Sequence, residues 1–282
     1  MSQSVPALVT TDWLADHLSA PDIRIVDGSW YLPVMGRDAM QEYLDGHIPG
    51  GVFFDLDDVS DAETPFPHML PPPEKFSSRV KHLGIGDGHH VIAYDGMGLF
   101  SAARIWWMFR AMGHENVSVL DGGLPKWMAD GRSIAKGNES PGPRHHTARP
   151  NNFIIRDIED MKRNLETARE QVIDARSRGR FTGQDPEPRP ELSSGHMPGS
   201  LSLPFTELLS EDGTLKPDRE LRLAFESAGV DLGKPIVTTC GSGVTAAVPY
   251  LALTVLGHKN VALYDGSWSE WAATVGAPIE KD

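Results

Sequence analysis

The chain contains a single cysteine, Cys240, which begins the loop sequence Cys-Gly-Ser-Gly-Val-Thr ending at Thr245. A strand-like run, residues 235–239, precedes the loop, and an apolar stretch typical of a helix, residues 246–253, follows it. Glycines let the backbone curl, so loop N–H groups and the helix N-terminus can point at the sulfur and favour its thiolate. A thiolate stabilised in this way reacts at neutral pH. The pattern indicates a nucleophile, although a lone cysteine is often a small buried apolar residue.

Two other chemistries have little support in the sequence. Cysteine phosphatases also place a thiolate in a loop that opens a helix, but they need an arginine six positions later to grip phosphate. That position is Ala246, and the loop holds no other basic residue. A metal site is not expected, because the chain has one cysteine and no HxxxH or HExxH pattern. The pairs His89-His90 and His145-His146 are expected in exposed loops.

Composition limits the function classes further. A length of 282 residues suggests about two domains, and the net charge of -13 argues against a nucleic-acid surface or a polybasic membrane patch. One cysteine cannot form an internal disulfide. Residues 1–10 do not resemble a signal peptide, and no run approaches the roughly 18 apolar residues of a transmembrane helix. We therefore expect a cytoplasmic protein that binds neither nucleic acid nor membrane.

The chain also contains an internal repeat of four blocks in the same order. The first copy comprises residues 23–28, 46–50, 91–96 and 113–122, and the second comprises residues 171–176, 195–199, 236–241 and 257–266. Each copy alternates β-rich runs with helical patterns, which predicts an α/β fold: a small parallel sheet with helices on both faces. Ligand sites in such sheets lie at the carboxyl ends of the strands, where Cys240 falls. Asp95 occupies the corresponding position in the first copy.

The repeat and the composition of the connecting segments predict the domain organisation. Residues 1–135 and 161–282 are expected to form the two domains, and residues 136–160, rich in Gly, Pro, Ser, Asn and basic side chains, to link them. Proline-rich loops at residues 65–73 and 184–190 are long enough to be functional.

The paired His-x-Pro-Gly blocks, the Asp-Gly-Gly and Asp-Gly-Ser endings followed by tryptophan, and the cysteine loop resemble the two-domain rhodanese sulfurtransferases. The resemblance covers residues 12–277. It implies two tandem rhodanese-like domains with an active site between them, of which only the second is catalytic. Asp95 agrees with this, since the first domain has no nucleophile at that position.

Within this family, the loop is similar to that of members that take sulfur from 3-mercaptopyruvate. Members that use thiosulfate typically carry basic residues where Gly241 and Ser242 stand. The resemblance implies sulfur transfer through a Cys240 persulfide, without a cofactor, to a small thiol or a thioredoxin-like dithiol, and we expect a monomer. A thiosulfate sulfurtransferase and a non-catalytic sulfur carrier or redox module remain open as alternatives.

The resemblance also assigns site residues. Arg180 and Arg189 match the positions that hold the carboxylate and carbonyl of a 2-oxo acid, groups that an arginine fork suits. By themselves the two would be read as surface arginines. The loop residues implied to cradle the sulfur are Gly241, Gly243, Val244 and Thr245, and the residues implied to relay protons are Ser242, His68 and Asp57.

Overall fold

A computed structural model of the chain describes residues 5–282; residues 1–4, which begin the segment searched for a signal peptide and the first predicted domain, lie outside it. The chain divides into two compact units. The first unit comprises the residues up to 62 together with residues 70–151 and 210–215, and the second comprises residues 63–69, 152–209 and 216–282. His68 thus belongs to the second unit, with Cys240.

The first unit is built on a five-stranded parallel sheet. Its strands are β1 (Leu8–Val9), β2 (Ile23–Asp27), β3 (Gly51–Phe53), β4 (His90–Tyr94) and β5 (Val117–Leu120), in the order β1-β5-β4-β2-β3. Its helices are α1 (Thr11–His17), α2 (Ala39–Asp45), α3 (Leu56–Val59), α4 (Pro73–His82), α5 (Ala102–Ala111) and α6 (Gly123–Ala129). Every residue of β4 is buried, as expected for a central strand covered on both faces.

Side chains alternate between the two faces of each strand, so the core of the first unit has one layer on each face of its sheet. Ile25 and Ile92, paired across β2 and β4, join a cluster with Leu14 of α1 and Trp127 of α6. Side chains on the opposite face of the sheet meet α4 and α5, where Phe76 packs edge to face on Phe109. Each face of the sheet is therefore covered by its own layer of helices.

The second unit repeats this plan. Its parallel strands are β6 (Ile155–Arg156), β7 (Gln171–Asp174), β8 (Leu201–Ser202), β9 (Ile236–Thr239) and β10 (Val261–Tyr264), in the order β6-β10-β9-β7-β8. Its helices are α7 (Ile158–Thr167), α8 (Arg178–Thr182), α9 (Asp218–Ser227), α10 (Ala247–Val255) and α11 (Ser267–Trp271). The strand order matches that of the first unit position by position, so the predicted duplication and parallel α/β sheets are confirmed.

Two histidines depart from their sequence-based placement. His90 lies within β4 and His146 packs beside the rings of Phe109 and His114, and both are buried. Burial lowers the pKa of each imidazole to about 4, so both are neutral at physiological pH. The expectation that they lie in exposed loops was wrong, because aromatic packing rather than local polarity decided their position.

Within residues 5–282, none of the helices combines the length and the apolar character that crossing a membrane requires.

Candidate active site

Cys240 stands at the carboxyl end of β9, where the backbone leaves the sheet to enter α10. It is a free cysteine whose own N–H donates to Ser267 Oγ at 3.2 Å and whose carbonyl accepts from Trp268 N–H at 2.9 Å. Ser269 donates its N–H and its hydroxyl to the carbonyl of Gly241 at 2.9 and 2.7 Å. The first turn of α11 therefore holds the cysteine loop at its base and leaves the rest of the loop to form the site.

The remainder of the loop presents N–H groups. Gly243 has a φ of +77°, a left-handed conformation that glycine adopts readily, and buried Val244 follows it into α10. In the part of the chain that the structure describes, no group accepts a hydrogen bond from the N–H of Ser242, Thr245 or Ala246. Ser242 and Ala246 are buried and Thr245 is half-buried. Because buried N–H groups without acceptors are rare in proteins, these amides indicate a place for an anion.

The matching loop of the first unit shows what such amides bind. There the Asp95 carboxylate accepts from the N–H groups of Met97, Phe100, Ser101 and Ala102, at 2.8 to 2.9 Å. The first three correspond in the repeat to the three amides without acceptors in the second unit. We call this set of N–H groups the cradle. In the first unit, a side-chain carboxylate accepts the hydrogen bonds of the cradle. In the second unit, an anion carried on Cys240 would accept the equivalent hydrogen bonds.

Replacing Asp95 by asparagine tests the cradle in the first unit. We expect a loss of about 2 kcal/mol in the free energy of unfolding, because the neutral amide weakens four charge-assisted hydrogen bonds and turns one N–H₂ toward N–H donors. Urea denaturation followed by tryptophan fluorescence measures it. Asp58→Asn, which removes an exposed ion pair with Arg79, is the matched control and should change stability by under about 0.5 kcal/mol. Equal effects of the two substitutions would contradict the interpretation.

Arg180 reaches the cysteine loop from α8. That helix is anchored by Phe181, whose ring stacks on His196 with 3.9 Å between centroids. A Cβ placed on Gly241 would lie only 2.8 Å from Arg180 Nη2, so the guanidinium rests directly against the residue after Cys240. The same nitrogen, Nη2, donates to Glu187 Oε2 at 2.5 Å.

Arg189 lies in the same neighbourhood and is half-buried. Burial lowers its pKa from the ordinary arginine value; Glu191 acts to raise it, Arg180 to lower it, and Cys240 to raise it. The guanidinium remains charged, and no hydrogen-bond acceptor meets its side chain among residues 5–282. The two arginines predicted to hold a carboxylate therefore both lie beside the cysteine, and Arg189 has its donors free for a ligand.

Sequence reasoning did not identify the buried ion-pair network behind Arg180. Arg176 Nη2 lies 2.6 Å from Asp174 Oδ2, and its Nη1 lies 2.7 Å from Glu187 Oε1. Burial acts to lower the pKa of Arg176, but the two carboxylates raise it above its usual value. Its guanidinium carbon lies 4.2 Å from the ring of Trp268, the residue that also binds the Cys240 carbonyl. In the sequence, the signal for this network was an Asp-x-Arg motif, residues 174–176, at the end of a buried strand.

The side chains of Ser242 and His68 are in direct contact. Ser242 Oγ is hydrogen-bonded to His68 Nδ1 at 2.8 Å, and both side chains are buried. His68 has a φ of +62°, a left-handed conformation that is uncommon for a non-glycine residue. Two of the three residues of the implied relay are therefore in contact.

Asp57, the third member of the implied relay, lies in α3 of the first unit. Its Oδ2 accepts a hydrogen bond from the indole N–H of Trp30 at 3.2 Å. Its assignment to proton transfer stays a prediction.

The second unit therefore contains a thiol, three backbone N–H groups without acceptors in its loop, two guanidinium groups and a hydrogen-bonded Ser–His pair. Among residues 5–282, no cluster of three or more His, Cys, Asp or Glu side chains could hold a metal ion. The arrangement suits attack by a thiolate on an anionic substrate, with charge collected by fixed donors.

Comparison with known proteins agrees with this geometry. The family model for the rhodanese-like domain matches residues 10–130 and 157–274. A human 3-mercaptopyruvate sulfurtransferase is 46% identical, over 94% of this chain and 91% of its own length. A bovine thiosulfate sulfurtransferase is 44% identical, over 94% and 91%.

Among solved structures, the crystal structure of SseA from Escherichia coli, described as a 3-mercaptopyruvate sulfotransferase, is similar with a TM-score of 0.87. Its sequence is 43% identical, and the match covers 94% of this chain and 99% of that one. The family model matches the chain twice, and the relatives share its sequence and its fold. The chain therefore belongs to the rhodanese family.

Proposed function

We propose that this chain is a 3-mercaptopyruvate sulfurtransferase, which moves the donor's sulfur to a thiol acceptor through a Cys240 persulfide and releases pyruvate. The observation that carries the proposal is the distribution of charge around Cys240. The loop residues Gly241 and Ser242 are neutral, while Arg180 lies against Gly241 and Arg189 interacts electrostatically with Cys240. Positive charge is thus supplied from outside the loop, which suits a 2-oxo acid, because its carboxylate is separated from its terminal thiol.

In the first half-reaction, the Cys240 thiolate attacks the donor sulfur while the two arginines hold the carboxylate and carbonyl. A sulfur–sulfur bond forms, the carbon–sulfur bond breaks, and its electron pair stays on carbon as the enolate of pyruvate. The donor's S–H proton is lost from the persulfide at neutral pH, and the enolate takes up one proton, so charge and atoms balance. We propose that the Ser242–His68 pair carries this proton, which their hydrogen bond supports, and that Asp57 assists it.

The persulfide product is an anion attached to Cys240. The N–H groups of Ser242, Thr245 and Ala246 would receive it, as their counterparts receive the Asp95 carboxylate in the first unit. Such fixed dipoles need no reorganisation when the charge arrives. Gly241, Gly243 and Val244 complete the cradle by shaping the backbone around it.

In the second half-reaction, a thiolate takes the outer sulfur and restores Cys240. The chain has no second cysteine, so the acceptor thiol comes from another molecule. We propose a small thiol or a thioredoxin-like dithiol. We further propose that the protein acts as a monomer in the cytoplasm and that residues 136–160 join its two domains, which the gap between the family matches at 130 and 157 supports.

A donor panel tests the proposal. Mercaptopyruvate and thiosulfate are supplied separately with excess thiol acceptor, pyruvate and sulfite are measured, and intact-mass spectrometry detects one added sulfur on the protein. We expect turnover with kcat/KM higher for mercaptopyruvate and the added mass before acceptor is present. A single added sulfur without turnover would instead indicate a non-catalytic carrier.

A thiosulfate sulfurtransferase is the second candidate, because the bovine relative is nearly as similar as the human one. Overall identity therefore does not choose the donor. Thiosulfate is a compact dianion that needs positive charge close to the sulfur, which neutral Gly241 and Ser242 do not supply. The same panel separates the two, since a higher kcat/KM with thiosulfate would favour this candidate.

Gly241→Ala tests the contact between the loop and Arg180. The added Cβ would lie 2.8 Å from Arg180 Nη2, and Gly241 does not have a positive φ, so the substitution displaces the guanidinium without straining the backbone. We expect the KM for mercaptopyruvate to rise about fivefold with little change in stability. Gly88→Ala, where the Cβ meets nothing within 4 Å, is the control. An unchanged KM would show that Arg180 does not hold the donor.

A further inference from the structure

One side chain of the site has no role in the steps above. Glu187 lies in the proline-rich loop and is buried, with a side chain only 2% exposed. Its Oε1 accepts from Arg176 Nη1 at 2.7 Å, and its Oε2 accepts from Arg180 Nη2 at 2.5 Å. The Glu187 carboxylate is therefore shared between two guanidinium groups, each bound through a charge-assisted hydrogen bond.

Glu187 determines which donors of Arg180 remain for a ligand. The carboxylate takes the Nε and Nη2 groups of Arg180, at 3.2 and 2.5 Å. No acceptor within residues 5–282 meets the remaining nitrogen, Nη1. Nη1 of Arg180 and the free guanidinium of Arg189 thus remain to bind a donor carboxylate, whereas the Nε edge of Arg180 is taken by Glu187.

Glu187 also sets the charge of the site. The charged side chains named around the cysteine loop are the guanidinium groups of Arg176, Arg180 and Arg189 and the carboxylates of Asp174, Glu187 and Glu191, of which Glu191 is exposed. Asp174 is matched by Arg176, with which it is wholly buried. Glu187 offsets one of the two remaining cations from within the buried network, and exposed Glu191 acts on Arg189 from the surface. The buried Glu187 carboxylate thus reduces the positive charge available to a second negative charge on the donor.

We propose that Glu187 is a selectivity residue: it lowers the positive charge of the arginine pair by one and so favours monoanionic sulfur donors over dianionic ones. The inference rests on the proposed function, since it concerns the donor of the same site. It differs from a role for the loop alone, because Glu187 discriminates by charge at the carboxylate end of the donor, whereas Gly241 and Ser242 lie at the sulfur end.

The test compares wild type with Glu187→Gln, Glu187→Asp and Glu207→Gln. Glutamine keeps the shape and an acceptor oxygen but removes the charge, and aspartate keeps the charge but shortens the reach. Glu207 forms a solvent-exposed ion pair with Arg178, so its change to glutamine removes the same charge outside the site. Two readouts are used: kcat/KM with mercaptopyruvate and with thiosulfate, and calorimetric dissociation constants for sodium pyruvate and sodium sulfate.

We expect Glu187→Gln to raise the preference for the dianion about tenfold in both readouts, equivalent to about 1.4 kcal/mol. Glu187→Asp and Glu207→Gln should leave that ratio within about twofold of wild type. An unchanged ratio in Glu187→Gln, or an equal change in Glu187→Asp, would overturn the proposal. If Glu187→Gln fails to fold, a ratio shifted in Glu187→Asp would likewise overturn it, and a preserved ratio with weaker binding of both anions would support it.

These readouts separate this inference from the proposed function. Absence of mercaptopyruvate turnover in the wild type would refute the function, whereas the sulfate-to-pyruvate binding ratio would still report on the charge that Glu187 contributes.

Discussion

Cys240→Ser is expected to abolish pyruvate release from 3-mercaptopyruvate, lowering kcat/KM by about 10,000-fold or more. A serine hydroxyl remains protonated at neutral pH and attacks sulfur poorly, and no other cysteine in the chain can substitute for it. Single-turnover assays with enzyme in excess over donor measure the effect directly, since they do not depend on the acceptor.

The variant should keep its fold and its affinity for pyruvate, because Cys240 is held through its backbone by Ser267 and Trp268 rather than through its sulfur. Thermal unfolding and calorimetry with pyruvate check both points. Pyruvate formed at the wild-type rate would eliminate the persulfide mechanism, and loss of pyruvate binding would mean that the substitution disturbs more than the nucleophile.

Arg189→Met is expected to lower kcat/KM for mercaptopyruvate by about 100-fold, mostly through KM. The side chain keeps its length and apolar stem but loses a guanidinium that has no hydrogen-bond acceptor among residues 5–282. Its removal therefore breaks no ion pair within the described protein, and stability should change little. Steady-state kinetics over a range of donor concentrations separate KM from kcat.

Arg178→Met is the matched control for this experiment. Arg178 lies in the same segment, but it is exposed and pairs with Glu207 at the surface. Its loss should change kcat/KM by less than about twofold. An effect on Arg178→Met equal to that on Arg189→Met would show that general positive charge, and not a carboxylate contact, is responsible.

Much of the fold could be predicted from local patterns. Runs such as Val91–Tyr94 and Ile236–Thr239 read as buried strands, the repeat implied two similar domains, and both the parallel sheets and the rhodanese resemblance are confirmed. These features depend on residues close together in sequence, so they can be predicted from short segments of the chain. The boundaries at residues 135 and 161 remain a prediction.

The sequence by itself also indicated the candidate nucleophile. A lone cysteine, the glycines around it and the strand and helix that flank it lie within one short segment, and that segment is sufficient to indicate a thiolate. The resemblance then assigned Arg180 and Arg189 to the site, but it did not show how their charges are offset. In the sequence, Glu187 and Arg176 look like ordinary charged residues, and only the structure shows that they are buried together.

The tertiary structure alone decided those long-range relations. It brought His68 to Ser242 across 174 positions of sequence, buried His90 and His146, and paired Glu187 with two arginines. The physical reason is that strands and helices form from neighbouring residues, whereas the burial and partner of a charged or polar group depend on which distant segments pack around it.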